Sequence, residues 1–277
     1  MTGTQVPTVR MHNGVEIPLL GLGTWKMSDG EAEEAVAAAL RLGYRHIDTA
    51  SVYGNEAGVG RAVRASGLPR EAVFVTTKLW NDAQRAGYDA CLRAFEESLN
   101  RLGMAYIDLY LVHWPCKGSY RQAWRAMEAI YASGRARAVG VSNFMVHHLE
   151  DLLSSTSLVP HNNQVELHPR LVQKPLMTFC REKRIVQTAW SPLMKGAVEQ
   201  IPELQEIGRK YGKTAAQVAL RWNVQLGVVT IPKTTRLERL RENAAIFDFE
   251  LSADEMARIS ALDRGERIGP DPDHFNF

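Results

Sequence analysis

The feature that most limits what this chain can become is an alternation that starts near Leu19 and runs almost to the end. A short apolar run, a polar turn and a helical pattern follow one another again and again. The apolar runs are Leu19–Gly23, Tyr44–Asp48, Val73–Lys78, Tyr106–His113, Ala136–Ser142, Asn163–Leu167, Ile185–Trp190 and Val228–Pro232. Helical periodicity falls between them over Glu31–Leu42, Glu56–Ser66, Tyr88–Leu102, Tyr120–Ser133, Val146–Ser154 and Leu176–Arg184. Beyond the seventh run it covers Glu203–Tyr211 and Ala215–Gln225, and beyond the eighth Leu237–Ile246. A last helix follows Ser252, with its capping partner Glu255 three residues on. Strands separated by helices pair in parallel, because the chain must cross over before it can pair again. Runs such as Leu109–Val112 and Val139–Val141 are apolar throughout, as strands covered on both faces are. Ahead of the alternation, Thr8–Met11 and Val15–Pro18 flank His12-Asn13-Gly14, a strong hairpin turn.

The expected fold is α/β: a (β/α)8 TIM barrel with an N-terminal β-hairpin and extra C-terminal helices, in one domain over 1–277. An open, doubly wound sheet would want Gly-x-Gly-x-x-Gly opening a helix after its first strand. Here Gly21-x-Gly23 runs into Thr24-Trp25, and Gly54, Gly58 and Gly60 are wrongly spaced, so that reading is rejected. No Pro-, Gly- or Ser-rich linker divides the chain.

Hydrophobic residues at 45% and charged residues at 23% suffice for a sizeable core. The net charge of +2, with Lys and Arg dispersed, argues against a nucleic-acid or membrane surface. Cys91, Cys116 and Cys180 are odd in number and lack metal or redox spacing, which points to reduced thiols. Met1–Asn13 has no apolar targeting core. A cytoplasmic monomer is expected, acting on a small molecule with no metal, membrane or nucleic acid.

Barrels of this kind carry chemistry at the C-terminal ends of their strands. Read in order, those ends supply Asp48, Lys78, His113, Ser142-Asn143, Gln164, Trp190 and Lys233, and Tyr53 stands in the turn after Asp48. Each has a bland reading: Lys78 snorkels to solvent, His113 is a satisfied core histidine, Asn143 caps the next helix, Asp48 caps a turn. Together on one face, such residues are hard to assign to stability. Three chemistries compete. A Schiff-base lyase would use Lys78, unpaired and with a depressed pKa. A metal hydrolase needs converging ligands, and His46-x-Asp48 has no second pair while His161 and His168 read as loop residues. The third is proton transfer coupled to hydride transfer. Tyr53 would be the acid, Lys78 would lower its pKa, Asp48 would orient Lys78, and His113 would donate to a carbonyl oxygen.

The blocks around these residues are Gly43–Ala50, Tyr53–Glu56, Thr76–Trp80 and Asp108–Pro115, followed by Gly140–Phe144, Asn163–Pro169 and Ile231–Thr234 with Arg239, Glu242 and Asn243. In this order the chain resembles the aldo-keto reductases from about Val9 to Asp263, most of all the prokaryotic branch that includes 2,5-diketo-D-gluconate reductases. The resemblance implies an NADPH-dependent reductase of aldehydes and ketones, with diketo-gluconate-type or small dicarbonyl substrates, and Asp48, Tyr53, Lys78 and His113 as catalytic tetrad. It further implies that Ser142, Asn143 and Gln164 hold the nicotinamide carboxamide, that Trp190 stacks on the ring, and that Ser191, Leu193 and Gly196 line the pyrophosphate. Lys233, Thr234 and Arg239 look like a 2′-phosphate clamp, and Glu242 and Asn243 like adenine contacts, whereas Arg236 and Arg241 read as a solvated helix face. Trp25, Trp80 and Trp114 form an aromatic wall for the carbonyl. Barrels that only sense the cofactor are the non-catalytic alternative. The sequence departs from the family pattern at Asn162 and Trp190, in the short Trp114–Tyr120 loop and in the short tail, and these departures bear on substrate choice.

Overall fold

The structure, a computed structural model, describes residues 6–277; the first five residues of the expected domain lie outside it. The strands are β1 (Thr8–Arg10), β2 (Glu16–Pro18), β3 (Leu22–Gly23), β4 (His46–Asp48), β5 (Phe74–Leu79), β6 (Ile107–Val112), β7 (Ala136–Ser142), β8 (Asn162–Glu166), β9 (Val186–Trp190) and β10 (Val229–Thr230). The helices are α1 (Asp29–Arg41), α2 (Glu56–Ala65), α3 (Asn81–Ala86), α4 (Tyr88–Leu102), α5 (Tyr120–Ala132), α6 (Val146–Leu153), α7 (Lys174–Glu182), α8 (Pro202–Tyr211), α9 (Ala215–Gln225), α10 (Leu237–Ala244) and α11 (Ala253–Ser260). β3 to β10 form one eight-stranded parallel sheet in sequence order. Its two outer strands meet. Gly21 N–H donates to Thr230 O at 2.9 Å, Thr230 N–H to Leu19 O at 2.8 Å, and Gly23 N–H to Pro232 O at 3.2 Å, so the sheet closes on itself.

The short β3 and β10 reflect that seam. Gly23 passes so close to the opposite strand that a Cβ there would come 2.9 Å from Ile231 O. α3 is not legible in the sequence: six residues ending at Gly87 carry too little periodicity to separate from the longer α4. α7 begins two residues earlier than its apolar pattern because Pro175 sits in its first turn, where a missing N–H costs nothing.

The hairpin closes the barrel floor. Met11 and Ile17 are buried with Phe74, Leu109, Leu111 and Ile231 in a cluster separate from the larger core between strands and helices. Polarity rises from floor to mouth along one parity of the strands: Phe74, Thr76 and Lys78 on β5, and Leu109, Leu111 and His113 at β6. The middle layer pairs with itself, His46 Nε2 with Thr76 Oγ1 at 3.0 Å and Asn162 Nδ2 with Thr188 Oγ1 at 2.9 Å. Asn162, a departure from the family pattern, is therefore a partner for Thr188 rather than a surface residue.

Gly58 and Gly60, wrongly spaced for phosphate binding, are packing glycines on α2. A Cβ on Gly58 would lie 2.1 Å from Asp29 O, and one on Gly60 2.0 Å from Leu102 O. Gly60→Ala is expected to lower stability by about 1–3 kcal/mol, since backbone on both sides has to yield. Gly30→Ala, whose Cβ would meet nothing within 4 Å, should leave stability unchanged or slightly higher. Urea midpoints of the two variants check both.

Candidate active site at the barrel mouth

β4 ends on Asp48, which lies opposite Thr76 of the neighbouring β5, and Lys78 follows two residues further along β5 on the same face. Lys78 Nζ donates to Asp48 Oδ1 at 2.6 Å and to Thr49 O at 2.8 Å; Asp48 Oδ2 accepts from Gln164 Nε2 at 2.6 Å. All three side chains are buried. Burial pushes the Asp48 carboxyl up and the Lys78 ammonium down, and the contact between them opposes both shifts. Lys78 does not snorkel.

Tyr53 ends a single 3-10 turn, Ser51–Tyr53, pinned by Ser51 Oγ donating to Lys78 O at 2.9 Å. Lys78 Nζ lies 5.3 Å from the centre of the Tyr53 ring. Burial first, and then the Asp48 carboxylate, hold the phenol well above its ordinary range. His113 stands edge-on to Tyr53, ring centres 5.8 Å apart, and burial followed by the Lys78 charge keeps its imidazole neutral.

β7 and β8 bring Ser142, Asn143 and Gln164 beside this group. Asn143 has φ +65° and is fully engaged: Nδ2 donates to His113 O at 3.0 Å, and Oδ1 accepts from Trp190 Nε1 at 2.8 Å. It orients the indole rather than capping a helix. Ser142 Oγ donates to Gln164 O at 2.7 Å. From Trp190 a groove of about 1350 Å³ runs past Ser191, Leu193 and Gly196 to Lys233, Thr234, Arg239, Glu242 and Asn243. Its wall after β9 is contorted: Ser191, Met194, Lys195 and Gly196 all have φ between 50° and 97°. Arg236 is exposed, as a solvated helix face requires, and also lines the groove, while Arg241 is exposed and does not line it. Glu242 accepts from Thr214 Oγ1 at 2.6 Å, so its carboxylate is tied to the start of α9.

The comparisons with known proteins agree in extent and kind. The sequence pattern of the Aldo/keto reductase family matches residues 19–264. The chain belongs to this family. It is 53% identical over 271 residues to the glyoxal reductase of Bacillus subtilis, covering 98% of each chain. To the methylglyoxal reductase DkgA of Salmonella typhimurium it is 44% identical over 274 residues, with 97% of this chain and 98% of the other covered. Among solved structures, a mutant of Gox0644 in complex with NADPH superposes with a TM-score of 0.94 at 41% identity, over 99% of this chain and all of that one.

Several parts of this aldo/keto reductase site are not foreseen by the sequence. Asn55 ties the loops around Tyr53 together, accepting from Thr49 Oγ1 at 2.7 Å and donating to Thr24 O at 2.9 Å. Buried Glu56 accepts from Thr77 Oγ1 at 2.6 Å and from Arg101 at 2.6 Å, which fixes the start of α2. The tail crosses the mouth. Glu166, fully buried at the end of β8, accepts from the backbone N–H of Ile268 at 2.7 Å and from Gly269 at 3.2 Å. A Cβ on Gly269 would meet the Trp190 ring at 2.3 Å, so tail and Asn143 grip the indole from opposite ends. Asp273 pairs with His147 at 2.8 Å and His148 at 3.2 Å. His148 Nδ1 accepts the Met145 N–H at 3.1 Å, which leaves the proton on Nε2 to donate to Asp273. Phe277 stacks on Trp80 at 5.7 Å and meets Trp114 edge-on at 5.2 Å, while Trp25 lines the same groove and is about half exposed. His161 and His168 flank β8 as loop residues and are both buried; His168 Nε2 shares a hydrogen bond with Glu166 at 3.1 Å.

The buried histidines make stability depend on pH. His46 titrates at about 3 in the fold, mainly through burial and then Lys78, against 6.5 when exposed. Its contribution is complete above pH 6.5 and is lost as pH falls toward 3, at up to about 1.4 kcal/mol per pH unit. Urea midpoints measured from pH 7 to pH 4 should fall, and the fall should be shallower in His46→Gln.

Proposed function

We propose that the chain reduces the carbonyl group of small aldehydes, ketones and dicarbonyls to an alcohol, with NADPH as reductant and Tyr53 as acid. The observation that carries this reading is the buried Lys78–Asp48 pair at 2.6 Å with Tyr53 and His113 at its open side. The same observation weighs against a Schiff-base lyase, since a lysine donating to a carboxylate and a carbonyl is no free nucleophile. Relatives named for glyoxal and methylglyoxal, together with the aromatic wall of Trp80, Trp114 and Phe277, favour compact carbonyls.

The residues present fit the cofactor. Lys233, Arg236 and Arg239 line the far end of the groove and none forms an ion pair among the described residues, which suits a dianionic 2′-phosphate. Trp190, held at both ends, offers a flat face for a nicotinamide ring. Bound in this groove, NADPH would be the source of the hydride for the carbonyl carbon. Neutral His113 donates to the carbonyl oxygen and aims it at Tyr53. Tyr53, held protonated by its surroundings, gives its proton to the developing alkoxide. Lys78 stabilises the resulting phenolate, and Asp48 keeps Lys78 charged and in place.

Tyr53→Phe should keep NADPH binding and lose methylglyoxal-dependent NADPH oxidation by several orders of magnitude. Turnover near that of the parent enzyme would remove Tyr53 from the reaction, and absence of oxidation by the parent with every small carbonyl tried would favour a cofactor-sensing barrel.

Arg239→Ala tests the cofactor independently. Losing one charge-assisted contact should raise the dissociation constant for NADPH about ten- to a hundredfold and leave that for NADH nearly unchanged. Fluorescence titration reads both. Equal weakening of the two cofactors would place Arg239 away from the 2′-phosphate.

A further inference from the structure

A second cavity, of about 660 Å³, lies at the opposite end of β9 from Trp190. It is framed by β1, the start and end of α7, the first residues of β9, the turn after α9 and the end of α11. The rim holds Arg10, Lys174, Arg181 and Arg184, and no carboxylate lines the cavity. Arg10 is paired with Glu16 at 3.0 Å. Lys174, Arg181 and Arg184 have no ion-pair partner among the described residues, although 31 acidic side chains are distributed over the sequence. The lining is otherwise mostly apolar, including Val172, Met177, Ile185 and Leu226.

One buried group points to a ligand. Gln187, in β9, is 6% exposed and lines this cavity; its Nε2 has no hydrogen-bond partner among the described residues and is itself shielded, so a turn of the amide presents it to a ligand. A buried amide donor left unsatisfied costs about 1–3 kcal/mol, so such groups are normally paired. Leu or Met at this position would have filled the space without that cost. The combination is therefore an uncompensated cationic rim, an apolar floor and one donor at depth, in a volume suited to a molecule of nucleotide size.

We propose that this cavity binds an organic oligophosphate of nucleotide size, at a site separate from the catalytic groove. Its phosphates lie against Lys174, Arg181 and Arg184, its flat body covers the apolar floor, and an acceptor atom of that body takes the Gln187 amide proton. Rim cations alone would hold any polyanion. The floor and the amide are what select an organic phosphate over an inorganic one.

Calorimetric titration of the NADPH-saturated enzyme with ADP, and in parallel with pyrophosphate, tests this. Saturation with NADPH removes the catalytic groove from competition. The expected result is one equivalent of ADP bound, more tightly than pyrophosphate, and more weakly as salt rises. Arg181→Glu with Arg184→Glu should weaken both probes about tenfold or more. Gln187→Leu should weaken ADP severalfold and leave pyrophosphate unchanged. Both variants should retain carbonyl reduction and the parent's urea midpoint, which shows that they fold. No ADP bound to the NADPH-saturated enzyme would overturn the site. So would unchanged affinity in the double charge reversal, and equal affinity for ADP and pyrophosphate would overturn the organic-phosphate assignment.

Discussion

The contact between Lys78 and Asp48 is the interaction on which the mouth of this barrel depends. Two charges buried together are tolerated only when each finds further partners, and here Thr49 O completes the lysine and the Gln164 amide completes the aspartate. That requirement fixes the heights of β4, β5 and β8 relative to one another. It also sets the state of the neighbours: the Lys78 charge helps keep His113 neutral, while Asp48 helps keep Tyr53 protonated. Their own burial, seconded in each case by one charge of the pair, therefore keeps the imidazole neutral and the phenol protonated.

Much of this is legible in the sequence because the periodicities are strong and the strand ends are local. Polar residues ending apolar runs, Asp48 and His113 among them, announce themselves against the run that precedes them. The parts that are not legible depend on partners far away in the chain. Glu166 looks like one more strand residue until Ile268 and Gly269 arrive with their backbone N–H groups, about a hundred residues later.

The substrate wall shows how two levels of the structure are joined. Trp80 and Trp114 belong to strand-end loops of the barrel, but the faces they offer are completed by Phe277, whose carbonyl oxygen accepts from Arg85 at 2.7 Å and from Asn81 at 3.1 Å. α3, which supplies both donors, thus serves as the mooring for the tail. Lys195 donates to Ile268 O at 3.0 Å and links the contorted wall of the groove to the same segment. The wall of the groove and the aromatic wall are thus held by one strap.

The seam between β3 and β10 bears on how the molecule comes into being. Leu19 and Gly21 pair with Thr230, which lies more than two hundred positions later in the chain. Until that late segment has left the ribosome, the strand formed by the first residues of the alternation presents an unsatisfied edge, and contacts between such distant segments form slowly. Gly23, buried against Ile231 O, offers little side chain of its own to protect that edge. Nascent chains are therefore most exposed to association with one another in the interval before β10 is synthesised, and closure of the ring ends that interval.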